Sequence, residues 1–301
     1  MVASQPPLAS ATLLNRQDPM RHGWAGWIQA GIFIMSIGIL YFSVLTRLAQ
    51  DWWSDPNASH GFFVPVFSGY VLWKNRTRWA SLPAKPTWHG LLIVALALSI
   101  LIVGVLGADL FLSRSSLVIL IAGLAIYFRG WRCFRAILFP WACLFLMIPI
   151  PTLLIGQLTY PLQILATRLA HAVLVACGIP VLREGNVLSL PALSLEVAQA
   201  CSSIRSLLTM VTLAVIYGYF REPRVWRRIA LVVAAVPIAI AANGLRIAVT
   251  GLMAQRWGAE MAEGFIHTFE GLFMVSLAFI MFLLVHGLLC LRAPGLRGKP
   301  A

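Results

Sequence analysis

The sequence predicts an all-α polytopic membrane protein of about eight transmembrane helices, with an interfacial helix and a short β-hairpin before the sixth. Three observations carry this reading. The chain is 60% hydrophobic and only 11% charged, with a mean hydropathy of +0.85; a soluble domain is nearer half apolar and a quarter charged. Several apolar runs approach the roughly 20 residues that cross a bilayer. The basic residues behind the formal charge of +13 lie in short clusters between those runs. That is how topology signals are placed, and a nucleic-acid-binding face would not be broken up in this way. No nucleic-acid partner is expected.

A tail of residues 1–23 leads into a first span at 24–46. This run is too long for a signal-peptide core and no small-x-small cleavage site follows it, so it reads as a retained anchor. Further spans are placed near 60–74, 89–107, 115–129, 134–150, 201–220, 229–250 and 271–291, and residues 292–301 form a second tail. Residues 24–291 thus make one membrane domain. With the N-terminus cytoplasmic, the inner segments collect 16 of the 23 basic residues, but only Asp18 and Glu222 among the ten acids. The positive-inside rule then sets both termini in the cytoplasm.

In that frame the segment 151–200 begins and ends outside. Its first half, "LTYPLQILATRLAHAVLVACG", carries Arg168, His171 and a proline, and reads as an interfacial or re-entrant helix, because a full span would invert the charges downstream. Its second half turns at Glu184-Gly185-Asn186 between partly alternating runs, which predicts a β-hairpin leading to residue 201.

The five cysteines (133, 143, 177, 201 and 290) are scattered without metal spacing, and an odd count argues against a disulfide framework. Neither a metal nor a cofactor is expected. Cys201 stands out by its place in "VAQACSSIRSLLTM", at the outer start of the sixth span. Ser202 and Ser203 are natural N-caps. The helix N-terminus favours a thiolate and offers N–H groups to an oxyanion. Arg205, at i+4 from Cys201, shares its helix face and lowers the thiol pKa further. The plainer reading is a small packing cysteine beside two caps.

Arg246, in "AANGLRIAVTG", lies near the outer end of the seventh span within an otherwise uncharged run. An arginine there is costly and marks a functional site by default, unless it snorkels to the interface. His267, in "EGFIHTFEG", precedes the eighth span on the same side. Cys201, His267 and Arg246 would supply a nucleophile, a proton-transfer partner and an oxyanion stabiliser.

The blocks "ACSSIRSL" (200–207), "NGLRI" (243–247) and "IHTFEG" (266–271) resemble the signature blocks of the exosortase/archaeosortase family, in the family's order. "SHGFFVP" (59–65) resembles that family's N-terminal block. Ser203 departs from the pattern, which commonly has glycine there. The resemblance covers roughly residues 25 to 290. It implies a cysteine transpeptidase of the bacterial inner membrane whose active site faces the periplasm. Its substrates would be exported proteins ending in a Pro-Glu-Pro-like motif, one transmembrane helix and a basic tail. By the family pattern Cys201 is the nucleophile, with Arg246 and His267 completing the triad, supported by Ser202, Ser203, Arg205 and Asn243. The partners expected are those substrates and membrane lipids. A polytopic transferase, or a transporter or assembly protein of exopolysaccharide export, is the alternative. Asp51, Asp55, Asp109, Glu260 and Glu263 show no carboxylate-pair or metal spacing for the first, and no repeated halves mark the second.

Overall fold

A computed structural model of the chain describes residues 31–55, 58–191, 194–196, 203–258, 260 and 276–289. The chain divides into two units, Met1–Thr46 and Arg47–Ala301. The first contains α1 (Gly31–Leu40) and the start of α2 (Phe42–Ser54). The second continues α2 and then has a 3-10 turn at Ser59–Phe62, α3 (Phe63–Lys74), α4 (Arg76–Ala80), α5 (His89–Leu106) and α6 (Leu110–Arg129). Next come α7 (Trp131–Cys143), a 3-10 turn at Leu144–Met147 and α8 (Thr152–Ala176). Three strands follow, β1 (Leu182–Glu184), β2 (Val187–Ser189) and β3 (Ser194–Glu196), then α9 (Ser203–Arg221), α10 (Val225–Trp257) and α11 (Ser276–Leu289).

Among the described residues α5, α6 and α10 are long and apolar enough to cross a bilayer, and α1 with α2 makes a fourth if the pair counts as one span. The expected spans near 60–74 and 134–150 are occupied by α3 and α7, of 12 and 13 residues. The sixth and eighth contain the shorter apolar stretches Leu207–Arg221 and Ser276–Leu289. Among the described residues, length and composition therefore support three or four spans, and the count of about eight read from the sequence is not confirmed. α6 starts five residues earlier than its apolar run suggests, for two physical reasons. The Asp109 carboxylate caps it by accepting from the Phe111 and Leu112 amides. Arg114, 2% exposed, is paired to Asp51 at 2.6 Å, which lets a cation lie inside the helix bundle.

The hairpin read from Glu184-Gly185-Asn186 is present, with Gly185 at φ +61 and Glu184 paired to Val187. It has a third strand: β3 pairs antiparallel with β2, Leu188 opposite Leu195. Leu188, Leu190 and Leu195 of this segment pack on Ala166, Ala170 and Leu174 of α8 and on Ile247 and Ala248 of α10. α8 is one continuous helix of 25 residues despite Pro161. It runs parallel to α10, with Ala166 and Leu169 at Gly244 and Leu174 at Gly251.

α9 and α10 form a hairpin through a core of Met210, Ala214, Leu231, Ala235 and Ala239, completed by Ala278 and Phe282 of α11. A polar knot closes the end of this hairpin. His286 bridges the Tyr217 hydroxyl (2.8 Å) and the buried Glu222 carboxylate (2.6 Å). Arg228 Nε–H donates to the Glu222 carbonyl at 2.6 Å.

Candidate active site

Cys201, Ser202 and His267 lie outside the described residues. Ser203 and Arg205 fall in the first turn of α9. Asn243 and Arg246 are on α10, each 3% exposed and each engaged by a partner. Their depth on that helix relative to α9 follows from helical register.

A Cβ added to Gly218 would lie 3.6 Å from the Arg228 Cα, so these residues are level near the closed end of the hairpin. Toward the open end, Leu207 of α9 shares a small void with Ala239, Ile240 and Asn243 of α10 and with Leu162 of α8. Eleven residues back along α9, from Gly218 to Leu207, thus match eleven forward along α10, from Arg228 to Ala239, as equal helical rises require. Four more residues set Ser203 level with Asn243. Arg246 lies one turn beyond, about 4.5 Å further along the axis.

α8 closes this region from a third side. A Cβ on Gly244 would come within 2.9 Å of the Leu169 side chain and 3.0 Å of the Ala166 carbonyl oxygen. A larger residue would have to push Leu169 and α8 aside, so glycine suits that approach, as small residues do at close helix crossings. The glycine of "NGLRI" therefore holds α8 against the segment that carries Asn243 and Arg246. The β-sheet packs one step further on, over Ile247 and Ala248. A guanidinium buried in this way lacks the access to water that a snorkelling arginine requires, so the plainer reading of Arg246 does not fit.

The 3-10 turn Ser59–Phe62, which holds the start of "SHGFFVP", packs against α9. His60 Nε2–H donates to the Leu146 carbonyl at 3.2 Å, and Trp52 Nε1–H to the Met147 carbonyl at 2.9 Å. These bonds tie the turn and α2 to the second 3-10 turn, above a core of Leu48, Val64, Val118, Met147 and Ile148. Sequence reasoning assigned no role to His60 and did not pair Asp51 with Arg114. Both placements arise from contacts across 60 or more residues, and the only signal was a charge of each sign near the ends of two apolar runs.

The described part of the site is thus one buried cation with a buried amide one turn before it on α10, level with Ser203, the first described residue of α9. A buried cation in such a place is the kind of group that can stabilise an anion formed beside it. Among the described residues no group of three His, Cys, Asp or Glu is placed to hold a metal ion. Neither a curated protein nor a solved structure matches the chain. The family model for transmembrane exosortases (Exosortase_EpsH) matches residues 52–284, a stretch that takes in "SHGFFVP", "ACSSIRSL", "NGLRI" and "IHTFEG". The chain belongs to the transmembrane exosortase family.

Proposed function

We propose that the chain is a membrane-embedded cysteine peptidase or transpeptidase that removes a C-terminal sorting signal from exported proteins at the periplasmic face of the bacterial inner membrane. Membership of the exosortase family supports this reading. The observation that carries it is the burial of Arg246, 3% exposed, one turn beyond the level of Ser203, when Cys201 precedes Ser203 by two residues.

The substrate's helix docks among the spans, and the sheet of residues 182–196 seats its extended motif. The Cys201 thiolate attacks the scissile carbonyl, forming a C–S bond and a tetrahedral oxyanion held by Arg246 and the N–H groups at the start of α9. On collapse the C–N bond breaks, and His267 gives its proton to the leaving amine. An acceptor amine, or water, then attacks the thioester with His267 as base, and the thiolate leaves. Arg205 favours the thiolate. Asn243 supports the oxyanion end of the site. α8, packed along α10 and not across it, fits a helix inserted beside that site better than one lying flat on the surface.

Intact-mass analysis of the purified protein with a sorting-signal substrate tests the proposal. A covalent adduct of the substrate's N-terminal portion, sensitive to hydroxylamine and absent from Cys201→Ala, is expected. Full processing without any adduct in the parent, or by Cys201→Ala, would reject it.

A further inference from the structure

We infer that the end of α3 and α4 forms a binding groove for an anionic phospholipid of the cytoplasmic leaflet. This inference is independent of the catalytic reading. A shallow, open groove is lined by Gly69, Leu72, Trp73, Arg76, Thr77, Trp79 and Ala80. Its walls are almost wholly apolar, and it lies where the chain changes from apolar helix to the basic run Lys74–Lys85.

The walls are fixed in advance. Trp79 Nε1–H donates to the Leu72 carbonyl at 2.9 Å, which ties α4 to the end of α3, and Asn75 Nδ2–H caps that end by donating to the Val71 carbonyl at 2.9 Å. The cations at the rim are also set. The Arg76 guanidinium lies 4.7 Å from the Trp73 ring, and one of its N–H groups donates to the Trp73 carbonyl. Arg129 lies 5.8 Å from the Trp79 ring and donates to the Trp79 and Ala80 carbonyls.

No acid occurs between Asp55 and Asp109, and among the described residues Lys74, Arg76 and Arg78 have no carboxylate partner. An apolar trough with tryptophan walls and uncompensated cations at one end complements an acyl chain that ends in a phosphate. It does not complement a sorting-signal helix with a basic tail, which these cations would repel. A second copy would bring the same cations to the contact.

The test uses the full chain in nanodiscs and native mass spectrometry, with phosphatidylglycerol and phosphatidylcholine as probes. The parent is expected to retain phosphatidylglycerol preferentially, and Arg76→Gln to lose about fivefold of that preference, since one basic residue at the surface contributes about 1 kcal/mol. Gly69→Phe fills the groove: a Cβ at Gly69 meets nothing within 4 Å, so the ring enters the trough without displacing the fold. This variant is expected to lose the retained lipid of either headgroup. Equal retention of both lipids by the parent, or unchanged retention in both variants, overturns the site. Cross-linking from Gly69→Cys to a second copy or to a sorting-signal helix overturns it also. Arg76→Gln alters an exposed side chain, so it decides the question even if Gly69→Phe fails to insert.

Discussion

The Tyr219 hydroxyl accepts a hydrogen bond from Asn75 Nδ2–H at 3.0 Å, while the Tyr219 ring packs edge-on against Phe67 at 5.7 Å. Together with Val71, which shares a cluster with Val215, Ile216 and Tyr219, these contacts lock α3 to the last turns of α9. Only two residues of α9 follow Tyr219, so the 3-10 turn that also touches α9 must lie toward its start. The helices are therefore parallel. From Val71 back through the 3-10 turn is about 20 Å, or about 13 residues of α-helix. Counted back from Tyr219, that reaches the first turn of α9.

The first prediction follows for His60. It ties that turn to the Leu146 carbonyl, and through the turn's contact with α9 it is expected to help position the first turns of that helix. His60→Ala is expected to cost only about 1 kcal/mol of stability, the net worth of one hydrogen bond. Processing should fall by about ten- to a hundredfold, because small displacements of a nucleophile are costly. The change should appear in kcat with KM little affected, and His60→Gln should recover part of it. A variant with parental kcat and only a lowered Tm would show that the role is structural alone.

The Asp51–Arg114 pair gives a prediction about stability. Arg114 is 2% exposed and Asp51 38%. Asp51→Asn thus leaves a buried guanidinium uncompensated, and about 2–3 kcal/mol of destabilisation is expected, somewhat below the cost of breaking a fully buried pair. Asp51→Asn with Arg114→Met removes both charges and should recover much of the loss. Thermal unfolding in a fixed detergent measures both, and an additive double variant would deny the coupling.

The sequence made the long helices and the hairpin turn legible, because apolar run length and a Glu-Gly-Asn signal are local. Arg246 was legible for the same reason: one charge in an apolar run is expensive wherever it packs. β3 was missed, since three residues, Ser194–Glu196, carry too little alternation to mark a strand. The parallel course of α8 along α10 was not legible either. It depends on Gly244 and Gly251 facing Ala166, Leu169 and Leu174, and a glycine in a helical run does not name its neighbour. The knot of Tyr217, Glu222 and His286 joins residues 64 and 69 positions apart. Glu222 read only as an acid on the wrong side of the charge pattern, where the structure shows a buried partner for His286.

Thiol labelling gives the next prediction, and the structure changes how it must be done. Cys133 and Cys143 are buried, whereas Cys177 is exposed beyond the end of α8. A bulky maleimide should therefore label Cys177 as well as Cys201, and labelling of the parent would not report the active site. In Cys177→Ser with Cys290→Ser, labelling should fall on Cys201, be slowed at least about tenfold by a sorting-signal peptide, and abolish processing. Thiolate fraction governs that reactivity. Peptide mapping decides it, and loss of processing with Cys201 unlabelled would remove the thiol from the mechanism.

Arg246 gives the sharpest separation between catalysis and packing. The residue is 3% exposed, so removing its side chain outright would conflate a lost oxyanion contact with a hole in the bundle. Lysine keeps a cation on a long stem, and so keeps most of the packing and the charge. It lacks the planar fork of donors that binds two directions at once. If the guanidinium steadies an oxyanion at the start of α9, Arg246→Lys should lose about 10²–10³ in rate, roughly 3–4 kcal/mol of transition-state stabilisation. The variant should still insert and fold as the parent does, which its Tm and elution position check. Substrate affinity should change little, because the interaction forms only as the carbonyl becomes tetrahedral. Rates must be compared at equal protein abundance. A lysine variant that processes substrate at near-parental rate would take Arg246 out of the site and leave oxyanion stabilisation to the N–H groups of α9 alone.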